Sequence, residues 1–445
     1  MKPDALKKLI IILTLASGLL CGYILGVVAL VFPVLATKYG FAKEQISLMA
    51  GSILLGCFFA SIFTGTLADY FGRRVVTIIT AIIFVVGIIG FIYSKNYWWL
   101  YAYRTIQGIA YGMCEIVIPL YLVEISATRW RGQIITLFKA ANTGGTLLSS
   151  LIWLIIPATL YHLPFFAALA TAIVIIGLMM ILPESPRWLI FNGRVTEAET
   201  IVGKIYGSLT EAQQVVKEIY ENSQRVSKGV WKELFSPQAI FPFMAVLAAV
   251  SLSQLTGIVV FIQNSIQILK DCGITSTWVG LYGTIAINVI NFMALFLTML
   301  LVDRVGRRLI LMIGTSGLCL SLIVLAVIHY LLPTGLLLGY ITLIGIILVV
   351  GFFAFGPSGI ILVISTELLP NKVRGLAISL AFTFGALVGT IFVSWFGKLS
   401  SQIGYANLFM IMAFFAFCYW LIALWIPETK GKDLEKISWQ EKDRP

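Results

Sequence analysis

The sequence predicts an all-α membrane protein: twelve transmembrane helices in two pseudo-symmetric six-helix bundles, with a cytoplasmic helical insert between them. Three observations carry that prediction. The 445 residues are 59% hydrophobic and only 11% charged, with a mean hydropathy of +0.97, too apolar for a water-facing surface of ordinary polarity. Apolar runs of about 20 residues, enough to cross a hydrocarbon core of ~30 Å, recur from end to end. A set of charged motifs also occurs twice, once in each half.

The runs fall at 7–32, 44–68, 74–93, 97–121, 133–157, 162–182, 238–268, 275–302, 308–331, 336–366, 373–397 and 403–427. The first is too long for a cleaved signal peptide. They divide the chain into a first bundle (1–182), a polar linker (183–237), a second bundle (238–427) and a tail (428–445). Within the linker, Thr196 with Glu199 and Thr210 with Gln213 have the spacing of capping boxes that open short helices. No Gly-rich phosphate loop or ATP-binding motif is present, and the six cysteines form no CxxC pair. Buried structural thiols are expected, with neither metal nor cofactor nor enzymatic chemistry.

The net charge of +11 does not point to nucleic acid, because its distribution follows the membrane. With the N-terminus inside, 24 of the 31 Lys and Arg lie in cytoplasmic segments, five lie outside, and Arg104 and Lys139 lie within spans. That asymmetry is the positive-inside rule and predicts cytoplasmic termini in a plasma or bacterial inner membrane. The absence of an N-x-S/T sequon agrees with a non-glycosylating membrane. A monomer in the bilayer is expected.

The duplication is specific. ADYFGRR (68–74) returns as VDRVGRR (302–308), EISATRWRG (124–132) as ELLPNKVRG (367–375), and PESPRWL (183–189) more loosely as PETKGKD (427–433), at offsets of 234, 243 and 244 residues. Asp69 and Asp303 thus end the second and eighth spans, each before a Gly-Arg-Arg turn that includes Arg73 or Arg307. Glu124 and Glu367 end the fourth and tenth spans, each seven residues before Arg131 or Arg374. Charges at a membrane edge that pair in one conformation and part in another bias a two-state equilibrium. Their duplication predicts a cytoplasmic gate rather than isolated interface anchors. Parallel repeats of this kind suit a rocking carrier with its solute site at mid-membrane.

DYFGRR, PLYLVEISATRWRG, PESPRWL, DRVGRR and PETKGK together resemble the sugar-porter branch of the major facilitator superfamily, across nearly the whole chain. The resemblance implies a secondary carrier that moves a small polar organic solute, a sugar or polyol, by alternating access. SQLTGIVV in the seventh span is similar to the family's Q-Q-L-[ST]-G-x-N stretch, which makes Gln254 a solute ligand. Asn291 in the eighth span matches the family's asparagine. Ser253 and Val259 replace the first glutamine and the asparagine of that stretch. Leu362 stands where the family often has Trp, and Gly385-Ala386 where hexose carriers resemble one another in Asn-Trp. Ile24 stands where proton-linked members carry Asp.

Two intramembrane charges add a reading of their own. Lys139, where sugar porters typically carry a solute-binding Gln, lies eight residues inside Arg131, ~12 Å deep at 1.5 Å per residue. Glu115 lies nine residues inside Glu124, ~13 Å deep on the antiparallel neighbour, so an ion pair is expected. Arg104, matching the Arg of the family's R-x-x-x-G, lies eleven residues before Glu115 and on the same helix face, which predicts one cavity for all three. Such groups face the interior and usually have a task. Three remain open: a structural Glu115–Lys139 pair, attraction of a solute anion by Lys139 with Arg104, or proton carriage by Glu115. The last two together define the alternative function, proton-coupled symport of an organic anion. Gln263 and Asn264 are read as an outer gate or a wet helix end. His162 and His329 are expected to stand isolated near the outer surface.

Overall fold

The computed structural model describes residues 3–127, 131–206, 213–214, 216–217, 233–370 and 373–428, and among them every regular element is helical. Helices α1 (Pro3–Gly26), α2 (Val28–Tyr39), α3 (Lys43–Phe71), α4 (Arg73–Tyr93), α5 (Tyr97–Ile125), α6 (Arg131–Ile152) and α7 (Pro164–Ile181) are followed by two short ones, α8 (Pro186–Phe191) and α9 (Val195–Tyr206). The second half holds α10 (Pro237–Leu255), α11 (Ile258–Asp271), α12 (Thr277–Val305), α13 (Arg307–Leu331), α14 (Leu336–Phe353), α15 (Gly359–Leu368) and α16 (Arg374–Trp425).

Among the described residues ten segments are long and apolar enough to cross a membrane. Two more crossings follow from physical length and from composition. At 52 residues α16 would run ~78 Å as one helix, far beyond a hydrocarbon core. It is interrupted at Gly404, whose φ of 76° and ψ of 164° are not helical, and so makes two crossings. The 22-residue α6 is less apolar because it carries Lys139, Asn142 and a run of Thr and Ser. Twelve crossings result. Large apolar side chains such as Phe63, Leu300 and Trp425 stand exposed along them, as lipid-facing groups do. The protein is an integral membrane protein.

The helices form two compact units, Met1–Val27 with Ser52–Lys228, and Val28–Gly51 with Gly229–Pro445. The first span thus changes unit between α1 and α2, and the second within α3. In the first unit α1 packs against α6 along Gly18, Gly22 and Gly26. A Cβ on Gly22 would stand 1.6 Å from the carbonyl oxygen of Asn142, so only glycine permits this approach. In the second unit α10 packs on the first part of α16 through Phe243, Val246, Val250, Ala377 and Ala381.

Outside the spans, α8, α9 and Val216 share a small core of Leu189, Ile190, Ala198 and Val202. Each such burial from water stabilises by roughly 1.5–3 kcal/mol for the larger side chains. The start of α9 differs from expectation. Thr196 lies inside the first turn rather than capping it, because the chain turns at Gly193 (φ 75°) and the helix opens at Val195. Arg194 then pairs with Glu197 at 2.7 Å. Thr210, the other expected cap, lies outside the described residues.

Candidate functional site

In the first unit α6, closely packed on α1, carries both Lys139 and Asn142 beside α5. Lys139 Nζ stands 2.7 Å from Glu115 Oε2, and Asn142 Nδ2 donates to Glu115 Oε1 at 2.5 Å. Both carboxylate oxygens are therefore engaged. The lysine side chain is 38% exposed and the glutamate 20%, so the pair faces open space rather than a dry core. The lysine and glutamate cancel in charge, and their partly exposed ammonium and carboxylate can still meet hydroxyl groups.

Arg104 does not join them. It is fully buried, and its Nη1 donates to the Ile24 carbonyl at 3.0 Å and to Gln107 Oε1 at 2.9 Å. Gln107 in turn donates to the Gly87 carbonyl. Eleven residues return a helix to nearly the same face but also advance it ~16 Å, too far for an Arg–Glu contact. The expectation of one cavity for all three charges is corrected on that ground. Arg104 Nε and Nη2 find no partner among the described residues.

In the second unit the seventh span is broken. α10 ends at Leu255, Gly257 takes φ 80°, and α11 starts at Ile258. Gln254 sits at the break, and its buried Oε1 has no partner among the described residues. Gln263 and Asn264 follow on α11, 0% and 5% exposed; among the described residues neither polar atom of Gln263 and not the Nδ2 of Asn264 finds a hydrogen-bond partner. An unsatisfied buried amide group costs about 1–3 kcal/mol, so these groups are poised for a partner. They are not a wet helix end. Ser265 on the same helix pairs with Thr284 of α12 at 3.1 Å, which fixes the rotation of α11. Asn291, also on α12, is half-buried one turn beyond Asn288.

The charge clusters lie where the motifs repeat. Arg73 pairs with Asp69 and Glu124, each at 2.9 Å, and donates to the Ala68 carbonyl. Ser185 donates to Glu124 Oε2 at 2.5 Å. In the second unit Arg307 Nη1 donates to the Val302 carbonyl and Arg374 Nε to that of Leu369, each at 3.3 Å. The side chains of Arg131, Asp303 and Glu367 lie outside the described residues. Two carboxylates in these turns were not singled out from the sequence. Glu184 accepts from the Arg74 backbone N–H at 3.1 Å, and Glu428 from those of Arg307 and Arg308 at 3.0 and 3.1 Å. Each caps the helix that starts after a glycine with strongly positive φ, Gly72 at 91° and Gly306 at 105°. Their signal was the repeated Pro-Glu of PESPRWL and PETKGKD.

His329 is also not isolated. It bonds Thr342 at 2.9 Å and stands in ring contact with Tyr405 and Phe409. No group of three or more potential metal ligands occurs among the described residues.

Comparison with known proteins places this arrangement. The family model described as sugar (and other) transporter matches residues 9–440. A putative metabolite transport protein of Bacillus subtilis is 30% identical over 445 residues, spanning 97% of this chain and 92% of the relative. The major myo-inositol transporter of the same organism is 28% identical, with 97% and 93% covered, and the arabinose-proton symporter of Escherichia coli is 28% identical, with 95% and 90% covered. Among solved structures, a partially occluded inward-open form of the E. coli xylose transporter XylE superposes with a TM-score of 0.79 at 24% identity, covering 96% of this chain and 99% of that one. The chain belongs to the sugar (and other) transporter family, the sugar porters of the major facilitator superfamily, and is a carrier rather than an enzyme.

Proposed function

We propose that this carrier moves a neutral, hydroxyl-rich solute, a sugar or polyol, across the membrane by alternating access. The observation that carries the reading is a set of buried amide atoms without a partner among the described residues: Gln254 Oε1, both polar atoms of Gln263, and Asn264 Nδ2. Amides donate and accept at once and carry no net charge, which suits vicinal hydroxyls. Glu115, Lys139 and Asn142 add a second hydroxyl-matching set in the first unit. Relatives that transport myo-inositol or arabinose support the same solute class.

The organic-anion alternative is not retained. Glu115 at 2.7 Å cancels the charge of Lys139, and Arg104 is turned away into the packing against α1. An incoming carboxylate would meet a carboxylate at no gain. We assign Glu124 and Arg73 to a cytoplasmic gate with Asp69, and extend it by motif repetition to Arg131, Asp303, Arg307, Glu367 and Arg374. The distribution of Lys and Arg supports cytoplasmic termini, and a monomer is the simplest unit for this fold.

A second reading concerns protons. Ile24 removes the family's protonatable group from the first span, and Glu115 is the partly exposed carboxylate that remains at mid-depth in the first unit. Release of the half-exposed Lys139 would leave Glu115 free to take up a proton. Uptake into liposomes tests both readings. Wild type is expected to concentrate arabinose or myo-inositol under an inward pH gradient. Glu115→Gln is expected to retain exchange but lose accumulation; accumulation that persists in that variant removes Glu115 as the carrier.

A further inference from the structure

A second charged cluster, unrelated to the Gly-Arg-Arg turns, lies at the opposite end of the spans. Asp271 ends α11 and gathers three donors. Lys43 Nζ stands 2.8 Å and Tyr405 OH 2.7 Å from its Oδ2, and Gln267 Nε2 donates to its Oδ1 at 3.0 Å. Lys43 opens α3, and Tyr405 directly follows the Gly404 break in α16, so one carboxylate ties three segments far apart in sequence.

Beneath it runs a seam with almost no free space. A Cβ on Gly397 would lie 2.5 Å from Ser47 Oγ and 2.6 Å from the Lys43 carbonyl oxygen; one on Gly51 would lie 2.1 Å from Ser394 Oγ. The gap left among Lys43, Ser47, Asn264, Asp271 and Tyr405 is about 10 Å³, room for one water at most. Ser401 reaches Glu44 across the same seam at 3.4 Å.

The partners of Asp271 differ in a way that matters. The aspartate is 14% exposed but Lys43 is 49% exposed. A half-solvated lysine loses little when it leaves for water, because water screens an exposed ion pair and hydrates the freed ammonium. The clasp is therefore ordered when closed and cheap to release. Asn264 lies two turns before Asp271 on the same helix, at the inner end of the seam.

We propose that Asp271 is the latch of the outer entrance. While Lys43 and Tyr405 hold it, the start of α3 stays closed on α11 and α16. Its release opens the way from outside to Asn264 and Gln263. The outward assignment rests on the orientation given under Proposed function; the latch itself rests on the geometry above.

The test uses a cysteine reporter in the seam. Ser47 is 4% exposed, so Ser47→Cys is expected to react slowly with a membrane-impermeant methanethiosulfonate added to intact cells, with protein lacking Ser47→Cys as background. Adding Asp271→Asn is expected to raise that rate about tenfold, and Tyr405→Phe, a milder change that spares the ion pair, less than that. Exchanging the charges with Lys43→Asp and Asp271→Lys is expected to restore slow labelling, since Gln267 and Tyr405 can both accept from a lysine. Equal rates in all backgrounds, or a charge exchange as fast as Asp271→Asn, would overturn the latch. Labelling that accelerates only when the reagent enters from the cytoplasmic side would overturn its outward placement. Because labelling needs no solute, failure to transport sugars would sink the functional reading while leaving this one standing.

Discussion

The two units treat buried polarity in opposite ways, although the chain repeats its motifs in both. The first unit puts an ion pair at mid-depth and satisfies it internally, Glu115 meeting Lys139 and Asn142, although the separate Arg104 keeps Nε and Nη2 without a partner among the described residues. The second puts neutral amides there and leaves Gln254 Oε1, both polar atoms of Gln263 and Asn264 Nδ2 without a partner among the described residues. An ion pair that completes itself gains little from a ligand, whereas an orphaned amide gains a full hydrogen bond. In the first unit the conspicuous charges largely answer one another, whereas in the second the inconspicuous amides keep polar atoms for which the described residues supply no partner.

The largest expected effect breaks the second side of this comparison. Gln263→Met keeps the volume of the side chain and removes both orphaned polar atoms. Affinity for the transported sugar or polyol is expected to fall roughly 5- to 150-fold, the equivalent of about 1–3 kcal/mol, while the melting temperature holds or rises. Binding measured by tryptophan fluorescence and a thermal melt on the same sample separate the two. Reduced stability with unchanged affinity would place Gln263 in the packing instead.

A middle-sized effect sharpens the first side. Glu115→Gln leaves Lys139 facing a neutral amide, and Lys139→Gln leaves Glu115 with Asn142 alone. Because the pair is partly solvated, each single change is expected to destabilise by roughly 1–2 kcal/mol, below the range for fully buried pairs. The double variant should recover most of that loss in a double-mutant cycle. Strict additivity of the two would mean that the pair does not act as a unit.

The smallest effect asks where the units agree. Glu184→Gln and Glu428→Gln each weaken a carboxylate cap on a helix that starts with two arginines, which is expected to cost about 0.5–1 kcal/mol. Similar losses in thermal stability would show that the repeated Pro-Glu has one role in both halves. A loss confined to one would break the equivalence.

The spans, the repeat and the Glu115–Lys139 pair were legible because each depends on one-dimensional quantities: run length, offset and depth from the membrane edge. Arg104 was misjudged because helical phase alone ignores the axial distance between residues on one face. Asn142 was passed over although it lies three residues after Lys139, the spacing at which two side chains share a helix face. Gln263 and Asn264 could not be told from a wet helix end, since only packing reveals that both are buried and that Gln263 and the Asn264 Nδ2 find no partner among the described residues. The Asp271 cluster joins residues 43, 271 and 405, a meeting that no local pattern announces.

The central claim is that the site selects neutral hydroxyl-rich solutes because its charges are already cancelled. It is tested most directly by thermal melting of the purified carrier against myo-inositol, arabinose and xylose on one side and simple mono- and dicarboxylic acids on the other, at one pH and ionic strength. The account predicts stabilisation by at least one neutral compound and by none of the acids. Stabilisation by acids alone would contradict it and return Lys139 to the role of a solute-binding cation.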